Sequence, residues 1–367
     1  MLWGLALSDQ AVAGGGIRHV AWLYRTTGEY LSGIRDFVTA GASAGEPVLV
    51  AVPSGRLPPG WQLPRENAGT RSLDAADLGR NPARLMPAVR AFADEHYGQR
   101  IRVICELAWL GRSGPELAEV TRYEMTVNLA FALTSITMLC PYDAASLPQS
   151  ASASACATHP WLRQDGSERT SSDYRRALDG RGEPELAPVP HGARALYYRS
   201  DLRPLRAFVA AEADRAGLSA VRRTDLVIAA SEVAANTLKH TAGAGLVRVW
   251  VAGEEILCQF DDSGYIRDPL AGYGRPAVDE PGGQGLWLVN QVCDLAEIRT
   301  SPAGTTIRLH MFLEAPPSTS RAENRSADPG LGQSGPDSRR PAARDGSGSH
   351  PSSAASGGRC GRGAIAT

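Results

Sequence analysis

The sequence predicts two folded regions of different class, an α/β layer structure and then an α+β two-layer sandwich, followed by a disordered tail. Three observations carry this. Between residues 17 and 174, short apolar segments alternate with amphipathic helical spacing, as in a largely parallel sheet covered by helices. Between 193 and 314, two helical stretches come first and period-two strands follow, which places helices on one face of an antiparallel or mixed sheet. From Ala315 to Thr367, 25 of 53 residues are Gly, Ser or Pro, none is aromatic, and Leu331 and Ile365 are the only large aliphatics. Such a segment buries too little apolar area to offset the entropy of ordering.

The first region opens with a strand at His19–Tyr24. Helical spacing in Tyr30–Ala40 then aligns Leu31, Ile34, Phe37 and Val38. A strand at Pro47–Val52, a helix at Pro82–His96, a strand at Ile101–Glu106 and a helix from Pro115 to about Phe131 follow. A last apolar segment ends at Cys140, and Cys140–Asp143 reads as a strand end and turn. Residues 175–192 are rich in charge, Gly and Pro and read as a linker. The second region carries helices at Leu202–Ala216 and Thr224–Thr241, strands at Leu246–Val251 and Ile256–Asp261, and a helix at Gly285–Cys293. It closes with a hairpin of Ala296–Thr300 and Thr305–Phe312 around Ser301–Gly304.

Composition narrows the function classes. With 38 basic and 39 acidic residues, the net charge of −1 leaves no electrostatic footprint for nucleic acid or an anionic membrane. Six scattered cysteines without a CxxC pair fit a reducing cytoplasm better than a disulfide framework. Met1–Gly16 lacks the basic leader of a signal peptide. The longest apolar run, Val127–Cys140, is broken by Asn128, Thr134, Ser135 and Thr137 and falls short of the roughly 20 residues of a membrane span. The expectation is a soluble cytoplasmic protein.

On the helix Thr224–Thr241 the apolar stripe is Leu226, Ala229, Ala230, Val233 and Leu238, and a second stripe holds Asp225, Glu232, Asn236 and Lys239. A carboxylate, an amide oxygen and an ammonium on one face suit a hydrated Mg²⁺ and a polyphosphate, because Mg²⁺ takes hard oxygen ligands and keeps several waters. Alone, this spacing is equally that of a solvated helix face. Three more elements follow within about 75 residues. A strand runs into Asp262-Ser263-Gly264; Gly282-Gly283-Gln284-Gly285 precedes a helix and leaves backbone N–H groups to face an anion; and Gly304-Thr305 enters the last strand.

With these elements on the page, the second region resembles the GHKL ATPase superfamily, with its Bergerat nucleotide-binding fold shared by gyrase and sensor histidine kinases. It is most like the anti-sigma-factor branch of protein serine/threonine kinases. SEVAANTLKH corresponds to the N box, FDDSG to the first glycine box, GGQGLWLVNQVCD to the second and GTTIRL to the closing strand, over about Leu202–Leu313. The resemblance implies ATP and Mg²⁺ as cofactors. Asn236 would bind the metal; Glu232 would orient water or act as base; Asp262 would accept from the adenine amino group, supported by Thr305. Gly264 would admit the base, Gly283 and Gly285 would wrap the phosphates, Lys239 would reach them, and Tyr265–Pro281 would be the lid. The first glycine box lacks the second glycine of the fuller pattern, and the lid is short, both features of the anti-sigma branch. Implied partners are a sigma factor or an anti-sigma-factor antagonist carrying the target serine, and a homodimer is left open. The alternatives are a nucleotide-gated binding module without turnover, or an atypical sensor histidine kinase. None of the seven histidines has the setting of a phosphoacceptor on a dimerising helix.

The first region resembles the MEDS sensory domain, a module with RecA-like layers, over about Arg18–Arg163. HVAWLYRTTGEYLSGIRDFVTAGASAGEPVLVAVP, ICELAWLGRS, YEMTVNLAF, LCPYD and ATHPWL carry the likeness. It implies a small-molecule or protein signal. The polar residues His19, Glu106, Glu124, Asn128, Cys140, Asp143 and His159 are candidates for a ligand pocket. No regular ligand spacing marks a metal site among them, and structural roles are the plainer reading. No GxxxxGK[ST] occurs, so RecA-like ancestry brings no ATP hydrolysis to this region.

Overall fold

A computed structural model describes residues 16–58, 69–175, 185–241, 243–274 and 284–313. The predicted tail and half of the predicted linker, residues 176–184, lie outside them. The remainder forms two sheets within one compact unit.

The first sheet has seven strands: β1 (Arg18–Tyr24), β2 (Val48–Val52), β3 (Thr70–Asp74), β4 (Ile101–Cys105), β5 (Ile136–Asp143), β6 (Trp161–Gln164) and β7 (Ser167–Thr170). Their order is β3-β2-β4-β5-β1-β6-β7, parallel except for the terminal β6/β7 pair. Its helices are α1 (Thr27–Ser43), α2 (Ala75–Gly79), α3 (Leu85–Glu95), α4 (Gly114–Ala130) and α5 (Gln149–Thr158). The two-residue period of the strands splits the core in two. Val20, Trp22 and Tyr24 pack with Tyr30, Ile34 and Val38 of α1 on one face. Ala21, Leu23, Leu49 and Ala51 pack with Phe92 of α3 and Tyr123 and Val127 of α4 on the other. Burial on both faces explains why these strands read as continuous apolar runs. Gly33 is required where α1 crosses the sheet, since a Cβ there would stand 2.1 Å from the Trp22 ring. α4 starts where Ser113 and Glu116 form a reciprocal capping box.

The second sheet has five strands, β8 (Arg194–Arg199), β9 (Ala244–Ala252), β10 (Glu255–Asp262), β11 (Leu295–Ser301) and β12 (Gly304–Phe312), antiparallel throughout in the order β11-β12-β10-β9-β8. One face carries α6 (Arg203–Ala216), α7 (Ala220–His240) and α8 (Gln284–Val292). Leu205 and Val209 of α6, Leu226, Ala230 and Val233 of α7 and Val289 of α8 meet Phe260, Ile307 and Leu309 in one core. These are the α/β layer and the α+β sandwich that the sequence predicts.

Several expectations are corrected. β5 does not end at Cys140 but runs to Asp143, held by parallel pairing with β1 out to Tyr24. α7 begins at Ala220, four residues before Thr224, because the Ser219 side chain accepts from Arg222 N and caps it there. The helix expected at Pro82 is a 3₁₀ turn, Pro82–Arg84, before α3 begins at Leu85. β3, β6, β7, β8, α2 and α5 were not anticipated; α5 (QSASASACAT) packs through Ala151 and Ala155 and has no large apolar stripe to read.

The two lobes touch through few, well-defined contacts. Asn81 Nδ2 donates to Asn290 Oδ1 at 3.1 Å, Arg84 Nε to the Asn290 carbonyl at 2.8 Å, and Arg299 Nη1 to Glu119 Oε1 at 2.6 Å. Tyr273 of the second lobe packs into the first lobe's core, beside Tyr123. Among the described residues, no helix is long and apolar enough to cross a membrane.

Candidate nucleotide site

The period of β10 decides which of two adjacent aspartates faces the helices. Asp261 points to the face away from the helices, where Arg248 donates to it at 2.5 Å and Thr306 at 2.8 Å. Asp262 points to α7, where Thr237 Oγ1 donates to its Oδ2 at 2.6 Å and Gly264 N to its Oδ1 at 2.7 Å. Both carboxylate oxygens are therefore held, and the plane of the group is fixed. Thr237 in turn accepts from the buried Tyr198 hydroxyl at 3.0 Å. Burial pushes the Tyr198 phenol up to about 12, so it remains a donor. Gly245 makes room for this tyrosine, because a Cβ there would lie 2.3 Å from its hydroxyl.

Thr305 pairs with Asp262 across β10 and β12, and its hydroxyl donates to the Gly264 carbonyl at 2.8 Å. Gly264 has no room for a side chain: a Cβ would meet Thr241 at 2.8 Å and Asp262 Oδ1 at 2.9 Å. One turn apart on α7, Glu232 and Asn236 both face the start of α8. A Cβ on Gly285 would stand 2.9 Å from Glu232 Oε2 and 3.2 Å from Asn236 Nδ2. The structure thus brings a carboxylate and a carboxamide to a glycine in the first turn of a helix, where free N–H groups and the dipole favour an anion. Lys239 is exposed on the last turn of α7, on the same stripe. Gly283 and the second half of the expected lid lie outside the described residues. The described first half is anchored by Ile266 N donating to Thr300 Oγ1 at 2.9 Å and by Asn290 Nδ2 donating to the Gly272 carbonyl at 3.0 Å.

In the first lobe the candidate polar residues divide into two groups. Glu106 and Asp143 lie at the carboxyl ends of β4 and β5, the edge where open α/β sheets bind ligands. Tyr30 OH donates to Glu106 at 2.5 Å, and Arg56 stands 3.4 Å from Glu106 and 3.7 Å from Asp143. Burial raises the Glu106 carboxyl to about 7. His19, Glu124, Asn128, Cys140 and His159 form a separate, buried cluster between β1, β5, α4 and α5. Burial pushes the Cys140 thiol up and His159 down.

Residues 18–160 match the model of the MEDS family, the MEthanogen/methylotroph, DcmR Sensory domain, and residues 198–311 match that of the histidine kinase-like ATPase domain. The chain joins a MEDS domain to a histidine kinase-like ATPase domain. No curated protein matches it. Among solved structures it is similar to the RsbU and RsbW domains of Rv1364c from Mycobacterium tuberculosis, at 22% identity, with a TM-score of 0.25. That match covers 35% of this chain and spans about a third (34%) of the other.

Within the ATPase domain, sequence reasoning missed Tyr198 and Thr237. Thr237 was legible in principle, since it follows Asn236 directly and turns toward the sheet. Tyr198 was not, because β8 is largely exposed and carries no clean alternation. In the MEDS domain, the gathering of His19 with residues more than 100 positions away is a product of the parallel β1/β5 pairing, which no local pattern announces.

Proposed function

We propose that the chain is a signalling regulator in which the MEDS domain controls an ATP-dependent protein serine/threonine kinase of the anti-sigma-factor type. The observation that carries the nucleotide reading is the convergence of Glu232 and Asn236 on Gly285 at the start of α8. A glycine cradle lined by an acid and an amide fits a metal-bound polyphosphate, and a side chain at Gly285 would fill it. Asn236 would hold Mg²⁺, with Gly283, Gly285 and Lys239 toward the phosphates. Asp262, oriented by Thr237 and Gly264, would take the adenine amino group with Thr305 behind it. When bound, Mg-ATP supplies the phosphoryl group and the charge neutralisation that its transfer needs. In this reading Glu232 would accept the proton of an incoming serine hydroxyl. The partners in this reading are a sigma factor and an antagonist protein that bears the serine, in the cytoplasm. The signal would be a small molecule or protein at the Arg56, Glu106 and Asp143 edge of the MEDS domain.

The test separates a kinase from a nucleotide-gated binding module. The chain is incubated with γ-labelled ATP and host extract, and label on protein serine is followed beside Mg-ATP affinity. Glu232→Ala is expected to abolish transfer while leaving affinity within a few-fold. Equal transfer by this variant would remove Glu232 as the base. Tight binding without transfer in the unaltered chain would leave the binding module.

A further inference from the structure

The cluster at the heart of the MEDS domain has the chemistry and spacing of a closed metal site. His19 Nε2 lies 3.1 Å from Glu124 Oε2 and 3.3 Å from Cys140 Sγ. Cys140 Sγ and His159 Nε2 each lie 3.7 Å from the same carboxylate oxygen, and the four atoms all fall within 4.8 Å of one another. In a tetrahedral zinc site, bonds of about 2.0–2.3 Å place neighbouring ligand atoms roughly 3.3–3.6 Å apart. The four donors therefore need to move by little to surround one cation.

The surrounding hydrogen bonds show which atoms face inward. His159 Nδ1 lies 2.9 Å from the Ala155 carbonyl, an acceptor only, so this nitrogen carries the proton. His19 Nδ1 lies 3.1 Å from Asn128 Oδ1. That amide is itself fixed, because its nitrogen donates to the carbonyls of Glu124 at 3.1 Å and Thr158 at 2.8 Å. With Nδ1 occupied in each ring, both Nε2 atoms are directed at the Glu124 carboxylate, and that of His19 also lies beside the Cys140 sulfur. A carboxylate, a thiol and two ring nitrogens converging in a buried space need protons or a positive charge between them, and one cation satisfies all four at once. His159 Nε2 is buried and has no hydrogen-bond partner. Imidazole ligands held by an outer acceptor on the other ring nitrogen are the usual support of a protein metal site.

We infer that His19, Glu124, Cys140 and His159 bind one divalent cation of the zinc class in a closed, four-ligand site inside the MEDS domain. Two nitrogens, one sulfur and one oxygen suit a borderline-soft ion, and the absence of an exposed ligand suits a structural or sensing ion rather than a catalytic one. Binding expels the Cys140 thiol proton to solvent and forms the metal–sulfur bond. Glu124 lies on α4, the helix whose Glu119 and Tyr123 contact the ATPase domain, so the ion would brace the element that joins the two.

The test uses the full chain stripped with chelator and titrated with Zn²⁺ or Co²⁺ alone. One equivalent of Zn²⁺ is expected by elemental analysis. Co²⁺ is expected to give the visible bands of tetrahedral coordination and a near-ultraviolet thiolate-to-cobalt band. Cys140→Ser should lose the thiolate band and His159→Gln should weaken binding at least tenfold, while Cys156→Ser changes neither. Failure of the folded chain to bind either ion at micromolar concentration, a cobalt spectrum without the thiolate band, or loss of that band in Cys156→Ser would overturn the assignment. The spectrum of the unaltered chain decides between thiolate and other sites, so a variant that fails to fold leaves the test intact.

Discussion

Replacing Thr237 by valine removes one hydroxyl while keeping the shape of the side chain. With it go the 2.6 Å donation to Asp262, which the hydroxyl proton shares with the Val233 carbonyl at 3.3 Å, and the acceptance from Tyr198 at 3.0 Å. The first is a bond to a charged group, worth about 1.5–3 kcal/mol. The second leaves a buried phenol without its acceptor, at about 1–3 kcal/mol. Valine and threonine have similar helix propensities, so the helix itself contributes little. The expected loss is about 2.5–6 kcal/mol, measured by urea denaturation, a large part of the 5–15 kcal/mol typical of a domain. Tyr198→Phe alone should cost about 1 kcal/mol, and the double variant should cost less than the sum, because the tyrosine has nothing left to donate to once Thr237 is gone. Thr224→Val is the control, since that hydroxyl only donates back to the Ala220 carbonyl of its own helix. A Thr237→Val protein within about 0.5 kcal/mol of the parent, or strict additivity with Tyr198→Phe, would refute the relay.

Gly285→Ala should lower Mg-ATP affinity at least about tenfold in calorimetry with the fold retained, because the added methyl would crowd Glu232 and Asn236; unchanged affinity would remove the cradle. Asn81→Ala should cost about 2 kcal/mol in urea denaturation, since it leaves buried Asn290 Oδ1 without a donor and uncaps Ala83 N. His310 gives a pH dependence with a definite sign. Burial alone would lower it, but hydrogen bonds from its two nitrogens to Glu255 and Glu297 outweigh that and raise it from 6.5 to about 9. Its charge therefore stabilises the fold fully below about pH 6.5, and that contribution is lost as the pH rises through about 9. His310→Gln should remove roughly 3 kcal/mol at pH 6 and almost none at pH 10, measured as the stability difference from the parent.

The candidate site of the second lobe was largely legible because its residues are placed by local pattern. Glu232 and Asn236 share a helix face by spacing alone, and Asp262, Gly264 and Gly285 sit at element ends, where glycines have positional meaning. What stayed hidden depends on distant pairing. Tyr198 reaches Thr237 only because β8 joins the sheet edge beside β9. The four buried donors of the MEDS domain come from two strands, a helix and a helix end, with no spacing in common. Contact between the lobes through Asn81, Glu119 and Tyr273 was equally unreadable, since a polar turn, a helical acid and a lid tyrosine each look solvated in sequence.

The central claim is that the second lobe holds Mg-ATP through Asp262 and Asn236. Calorimetric titration of the full chain with ATP, with and without Mg²⁺, tests it most directly beside Asp262→Asn and Asn236→Ala. The account predicts binding of one ATP by the unaltered chain, loss of binding in Asp262→Asn, and loss of the Mg²⁺ dependence in Asn236→Ala. A folded chain that takes up no ATP, or an Asp262→Asn variant that binds as the parent does, would contradict it.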